Sequence, residues 1–190
     1  QVRVSTKVLN LDMREKFTNE STVDVPADGV VKVIGIPDVQ GLSPTYFISV
    51  KAQDASGRLV GSNFYWLSAK PETLDWAKST WFNTPTLSYA DFTALAQLPK
   101  VRLNVTERSE HKGDDEITHV TVENPSKSLA FFIRMKLKKG ASGTEILPVL
   151  WQDNYISLLP GEKRDLTAEY RASELGAAKP VIEVKGWNTE

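Results

Sequence analysis

The chain has no cysteine, only two histidines and no long hydrophobic run among its 190 residues. The absence of cysteine excludes disulfides, thiol nucleophiles and thiolate metal sites. No apolar stretch approaches the roughly 20 residues that a membrane-spanning helix needs. The 23 basic and 24 acidic side chains leave a net charge of −1, which excludes the basic footprint of a nucleic-acid-binding protein. Composition therefore favours a globular chain with no membrane or nucleic-acid partner.

Short runs of alternating apolar and polar residues dominate the chain and predict β-strands. In the first run, Val2, Val4 and Val8 share one face with Thr6. The predicted strands cover residues 2–8, 17–25, 30–34, 45–52, 59–67, 101–108, 117–123, 130–137, 155–159, 164–170 and 181–187. Short strands, frequent turn signals and the lack of long helices predict an all-β protein built from antiparallel sandwiches.

The alternation stops between residues 69 and 99, where prolines and aromatic residues are frequent. We expect three parts: a sandwich in residues 1–68, a structured connector in 69–99 and a second sandwich in 100–190. One short helix is predicted at Ser88–Leu98, with Ser88 as its cap and Phe92, Leu95 and Leu98 on one face. Because so many exposed aromatic rings would form a large apolar patch, the connector should pack on one or both sandwiches and fix their relative orientation.

No residue pattern in the chain predicts catalysis, a metal site or a cofactor. His111 lies in a polar turn and His119 in a strand, and their spacing matches no known set of metal ligands. Asp114-Asp115-Glu116 could hold calcium in principle, but a solvated hairpin tip explains it better. The Gly-x-Ser-x-Gly nucleophile motif and a glycine-rich phosphate loop are both absent.

Five tryptophans remain as the strongest functional signal in the sequence. Most lie in or beside predicted strands, where burial in a core explains them. Trp76 and Trp81 lie in the connector instead, so they are the candidates for a carbohydrate-binding platform on which sugar rings stack. Exposed, coplanar indoles would favour sugar binding, and buried ones would favour scaffolding.

Two motifs go beyond general strand patterns. One is the run around Trp66, Ser62-Asn63-Phe64-Tyr65-Trp66-Leu67-Ser68. The other is Trp151-Gln152-Asp153-Asn154-Tyr155, which is followed by Leu159-Pro160-Gly161-Glu162. Together with the ending Lys185-Gly186-Trp187-Asn188, they resemble the C-terminal immunoglobulin-like domains of glycoside hydrolase family 2 enzymes, of the exo-β-D-glucosaminidase and β-mannosidase type. In the second motif, Trp151 and Tyr155 should pack while Asp153 and Asn154 shape the turn.

The resemblance implies two immunoglobulin-like sandwiches that accompany a (β/α)₈ catalytic barrel in the same parent chain. The parent would hydrolyse terminal β-linked mannose, glucosamine or galactose with retention. No catalytic residue is carried over, because the family's catalytic glutamates lie in the barrel. We expect an excised piece of a bacterial enzyme, truncated within its first sandwich and inactive alone.

Two alternatives remain open, a carbohydrate-binding module and a cell-surface interaction domain. A periplasmic or extracellular location is favoured for the parent, and the fragment's apolar connector could drive self-association.

Overall fold

A computed structural model describes all residues from 1 to 190. The chain divides into two compact units, residues 1–97 and 98–190. None of its helices has the length and apolar character needed to cross a membrane. Each unit is built almost entirely from antiparallel strands.

The first unit contains one four-stranded sheet, called sheet 1. Its strands are β1 (Val2–Asn10), β2 (Glu15–Val23), β3 (Thr45–Gln53) and β4 (Leu59–Ser68). They lie in the order β2-β1-β3-β4, and all neighbours are antiparallel. Val4, Thr6 and Val8 are buried, as the alternation predicts. Phe47 of β3 is fully buried, and its ring stacks on that of Phe64 of β4 with the ring centroids 5.4 Å apart.

The strand predicted at residues 30–34 is wrong. This stretch belongs to a strand-free segment between β2 and β3, and the side chain of Val30 is 99% exposed. Asp28 adopts a positive φ of 53° and Pro26 and Pro37 flank the stretch, so the chain turns without reaching a strand partner. Five residues of apolar and polar alternation therefore do not form a strand when no neighbouring strand is available for pairing.

The helix predicted at Ser88–Leu98 is also wrong in its extent. Ser88 ends the short strand β6 (Thr86–Ser88), which pairs with β5 (Thr73–Leu74), and a 3₁₀ helix covers only Thr93–Gln97. Asp91 causes the late start, because its Oδ1 accepts hydrogen bonds from the amide (2.9 Å) and hydroxyl (2.7 Å) of Thr93. Leu95 is nevertheless buried, and this 3₁₀ helix contacts β3.

The second unit contains two stacked sheets and one short helix. Sheet 2 has the order β10-β12-β8-β7, and sheet 3 has the order β11-β9-β13. The elements are β7 (Asn104–Lys112), β8 (Asp115–Glu123), β9 (Ala130–Lys139), β10 (Leu150–Trp151), β11 (Ile156–Leu158), β12 (Lys163–Arg171), α1 (Ala172–Leu175) and β13 (Pro180–Lys185).

The core of the second unit lies between sheets 2 and 3. Val120 and Val122 of β8 pack with Leu166 of β12 on one side, against Ile133 and Met135 of β9 on the other. Every one of these side chains is at most 4% exposed. Burial of this apolar surface is the main force that holds the two sheets together.

The predicted fold class is confirmed, since the protein is all-β with antiparallel, immunoglobulin-like organisation. In the second unit, four- and three-stranded sheets pack face to face. The first unit contributes sheet 1, the β5–β6 ribbon and strand-free segments. The three-part division at residues 68 and 99 stays a prediction.

Candidate functional site

The most unusual surface of the chain lies on the short ribbon formed by β5, β6 and the loop between them. We call residues 73–89 the aromatic ribbon. Five of its large apolar side chains are exposed. They are Trp76 (72%), Trp81 (94%), Phe82 (73%), Leu87 (64%) and Tyr89 (76%). Soluble proteins seldom expose so many large apolar groups on one short segment without a partner.

Polar side chains fix the backbone beneath these aromatic rings. The amide of Lys78 donates to Asp75 Oδ1 at 3.3 Å, and the amide of Asp75 donates to the carbonyl of Pro85 at 2.8 Å. The amide of Thr80 donates to the Asn83 carbonyl at 2.7 Å, which closes the turn that presents Trp81. The rings therefore project from an ordered loop rather than from a loose linker.

The ribbon is tied to sheet 1 at its base. The amide of Asp91 donates to Ser68 Oγ at 3.2 Å, and Thr45 Oγ1 donates to the Asp91 carbonyl at 3.4 Å. Hydrogen bonds from Thr93, first from its hydroxyl and then from its amide, lower the pKa of Asp91. The carboxylate thus stays ionised and fixes the turn that leads out of the ribbon.

Trp76 and Trp81, the two predicted sugar-binding residues, are exposed as such a role requires. Trp81 meets Phe82 edge to face, with ring centroids 5.1 Å apart and planes at 79°. That pair does not form a flat platform, although the single indole of Trp81 remains open for stacking. The sugar-binding role of both tryptophans stays a prediction.

The motif at residues 151–155 completes the edge of sheet 3. Asn154 Oδ1 accepts a hydrogen bond from the amide of Met135 (2.8 Å), while Asn154 Nδ2 donates to the carbonyl of Met135 (3.0 Å). The side chain therefore takes the place of a strand neighbour just beyond the Ile156–Ile133 pair. Asp153 Oδ1 accepts from the amide of Asn154 at 2.8 Å, and Trp151 packs partly buried against the core.

Tyr155 and Trp66 are partly exposed, although large aromatic side chains such as these are usually buried in a core. Tyr155 is 49% exposed with a positive φ of 55°. Trp66 lies on β4, opposite Phe47 in the register, and is 39% exposed because β4 is the edge strand of sheet 1. The structural roles assigned to this pair from sequence stay predictions.

Two buried asparagines were missed by the sequence reasoning. Asn124 Nδ2 donates to the carbonyls of Ser128 (2.8 Å) and Leu158 (2.9 Å), so it joins the turn at residues 124–126 to the end of β11. Asn188 accepts from the amide of Phe131 at 2.9 Å and donates to the carbonyl of Leu129 at 2.7 Å. The residues Asn124-Pro125-Ser126 are typical of a turn, but the burial of Asn124 depends on backbone that is distant in sequence.

The histidines and acidic residues form separate surface pairs. His111 Nδ1 lies 3.0 Å from Glu116, and His119 Nε2 lies 3.1 Å from Glu110. The hydrogen bond from His119 is the largest cause that lowers the pKa of Glu110. No three His, Asp or Glu side chains are placed to share a metal ion.

The outer face of sheet 2 carries a polar groove of about 450 Å³. Its walls include Thr121 and Asp165, whose side chains hydrogen-bond to each other, together with Gln152 and His119. No tryptophan, tyrosine or phenylalanine lines the groove. It therefore lacks the stacking surface on which most sugar sites depend.

Comparison with known proteins identifies the family. Residues 81–189 match the family of the exo-β-D-glucosaminidase Ig-fold domain. An exo-β-D-glucosaminidase of Amycolatopsis orientalis is 40% identical over 97% of this chain and 18% of its own length. One from Arthroderma benhamiae is 33% identical over 98% of this chain and 20% of its own.

The structural comparison agrees with the sequence matches. The crystal structure of the Amycolatopsis orientalis exo-chitosanase CsxA superposes with a TM-score of 0.90 at 37% identity, over 99% of this chain and 23% of that one. The chain thus spans about a fifth of the length of the relatives that it matches. These matches confirm the resemblance to glycoside hydrolase family 2, and the chain belongs to the exo-β-D-glucosaminidase Ig-fold domain family.

Proposed function

We propose that the chain is a non-catalytic accessory module of an exo-β-glycosidase that removes terminal β-linked glucosamine. Its relatives carry the name exo-β-D-glucosaminidase, and one related structure is a complex with p-nitrophenyl β-D-glucosamine. The matching region is about a fifth of each relative, so the parent has room for a catalytic barrel. Glucosamine is thereby favoured over the mannose and galactose that the motifs left open.

The aromatic ribbon is the observation that supports an accessory role. Its backbone is fixed by hydrogen bonds, yet Trp81 and Tyr89 project into solvent. Large aromatic side chains on a rigid loop are typical of the buried centre of a protein interface. The ribbon would be covered by another domain of the parent enzyme and would help to hold that domain in place.

Activity measurements test the non-catalytic part of the proposal. The 190-residue chain is expected to show no turnover of p-nitrophenyl β-D-glucosaminide above buffer, whereas the full-length parent is active. Turnover that co-purifies with the 190-residue chain and persists after a second purification step would refute the accessory role.

Paired variants test the covering of the ribbon. Trp81→Ser in the full-length parent should lower its unfolding temperature, because a buried interface contact is lost. The same change should leave the unfolding temperature of the 190-residue chain unaffected at dilutions where that chain is monomeric, since the indole is 94% exposed there. Val30→Ser, at a side chain that is 99% exposed outside the ribbon, is the control and should change neither. Equal effects of Trp81→Ser on both proteins would contradict the proposal.

Sugar binding by Trp76 and Trp81 is the second candidate function, favoured by the exposure of both indoles. A single indole can stack on the apolar face of a sugar ring. Titration of the 190-residue chain with glucosamine oligomers, followed by tryptophan fluorescence, tests it. Saturable quenching that Trp81→Ala abolishes would establish sugar binding, and no change in fluorescence would reject it. The cell-surface alternative loses support, because the matched family is named for a domain of an enzyme.

A further inference from the structure

Two bulky aromatic residues of the second unit occupy the left-handed region of backbone conformation. Phe132 has φ of 53° and Tyr155 has φ of 55°. Side chains of this size seldom adopt positive φ, because the Cβ atom crowds the backbone, and the conformation persists only where surrounding structure enforces it. Both side chains are nonetheless exposed, by 37% and 49%, and their ring centroids lie 5.1 Å apart.

The surrounding structure holds both residues in place. Between the pairs Leu158–Ala130 and Ile156–Ile133, one residue of β11 faces two residues of β9, which makes a β-bulge at Phe132. The amide of Phe132 donates to Ser157 Oγ at 3.2 Å. The amide of Tyr155 donates to Asn154 Oδ1 at 2.9 Å, and that same side chain is bonded to Met135.

A row of basic side chains begins beside the aromatic pair and continues along β9. The guanidinium of Arg134 lies over the ring of Tyr155, 5.9 Å from its centroid. Lys136 and Lys138 follow on the same face of β9, since the residues between them are buried. Each of these three cations is in an ion pair, Arg134 and Lys136 with Glu145 and Lys138 with Glu183, so the row keeps an excess of one positive charge. Aromatic rings with arginine at the centre and charged residues around them resemble the composition of protein interfaces.

We propose that Phe132 and Tyr155 anchor a second docking surface, on the outer face of sheet 3, for an acidic surface of the parent enzyme that lies outside this chain. This inference rests on the proposed function, because it assumes the same parent. The relatives are about five times longer than the matched region, so the rest of such a parent enzyme is long enough to provide this acidic surface. Glycine or asparagine would adopt the positive φ of Phe132 and Tyr155 at a lower energetic cost. The backbone conformation therefore does not explain the aromatic rings at these positions, and we attribute them to contact with a partner.

The geometry favours a protein partner over a sugar. The two ring planes are tilted by 46°, and the guanidinium of Arg134 already covers Tyr155, so no flat platform is open. The row of lysine and arginine side chains would repel the ammonium groups of a glucosamine chain. It would attract carboxylates on an opposing protein surface.

Hydrogen exchange measured by mass spectrometry tests the inference, comparing the 190-residue chain with the full-length parent. Amides of residues 130–134 and 154–157 should exchange about tenfold more slowly in the parent, because docking suppresses local opening. Equal rates in both proteins would overturn the proposal. If residues 73–89 are protected in the parent but residues 130–134 and 154–157 are not, the second docking surface is wrong and the proposed function stands. If neither region is protected, both proposals are wrong.

Variants that relieve the backbone strain separate docking from packing. Phe132→Gly and Tyr155→Asn should leave the unfolding midpoint of the 190-residue chain unchanged or higher, while abolishing the protection in the parent. Tyr65→Asn is the control, since Tyr65 is equally exposed at 48% but lies in sheet 1, and it should leave the protection intact. A lowered midpoint of the 190-residue chain would assign the rings a packing role and contradict the proposal, as would saturable binding of glucosamine oligomers at Tyr155.

Discussion

Asn154 shows how one side chain can replace a missing strand neighbour. Strand β11 begins only at Ile156, which pairs with Ile133, so the backbone of Met135 on β9 would have no partner at that edge. The amide group of Asn154 supplies both a donor and an acceptor, and thereby satisfies both polar groups of Met135. Because Met135 is 1% exposed, water could not replace these bonds without opening the sheet.

Asn154→Ala is therefore expected to lower the free energy of unfolding by about 1–3 kcal/mol, the usual cost of leaving buried polar groups without partners. Urea unfolding of the 190-residue chain measures it. Asn104→Ala is a matched control, because Asn104 is exposed and its side chain donates a hydrogen bond to the Glu123 carboxylate at 3.1 Å. Its effect should stay within about 0.5 kcal/mol. Equal losses for the two variants would contradict the role assigned to Asn154.

The hairpin of β3 and β4 depends on its turn, which Asp54 organises. Asp54 Oδ1 accepts hydrogen bonds from the amide (3.0 Å) and hydroxyl (2.6 Å) of Ser56 and from the amide of Arg58 (3.0 Å). Gly57 supplies the φ of 83° that the turn requires. The hydrogen bond from the Ser56 hydroxyl, followed by that from Arg58 Nε to Oδ2 (3.0 Å) and by the two amide bonds, lowers the pKa of Asp54 to about 2.

Because the pKa of Asp54 is lower in the folded protein, the ionised carboxylate stabilises the hairpin at pH values above 3.8, the ordinary pKa of aspartate. This stabilisation is lost as the pH falls towards 2. The unfolding midpoint of Asp54→Asn should lie below that of the original chain at pH 6, and the difference should shrink between pH 4 and pH 2. Asp24→Asn, at an exposed side chain, is the control. A carboxyl titration of Asp54 by NMR with its midpoint near 4 would refute the assignment.

At the scale of the whole chain, the exposed aromatic ribbon should determine how the molecule behaves in solution. Trp81, Phe82 and Tyr89 offer an apolar surface that the chain itself leaves uncovered. In the absence of a parent enzyme, a second copy is the partner most available to it.

Light scattering of the 190-residue chain should therefore show an average mass that rises with concentration. The double change Trp81→Ser and Tyr89→Ser should suppress that rise, and Val60→Ser, at a side chain 51% exposed on β4, should not. A constant monomer mass over the whole concentration range would show that the ribbon does not drive self-association.

Local sequence patterns correctly predicted the strands that pair with a neighbouring strand over many residues. The prediction at 45–52 corresponds to β3 (Thr45–Gln53) and that at 164–170 to β12 (Lys163–Arg171). The five-residue run at 30–34 failed, because pairing depends on a neighbour that no local pattern describes. The two-residue strands β5 and β10 were missed, since two residues carry no period.

The sequence alone determined the all-β class and, through the motifs ending at Tyr155 and Asn188, the family. Alternation and turn residues act over a few positions, so they can be read along the chain. Only the tertiary structure decided that Trp81 is exposed, that Asn124 and Asn188 are buried, and that Phe132 lies strained beside Tyr155. Exposure and strain depend on contacts between residues far apart in sequence, and those contacts exist only once the sheets have assembled.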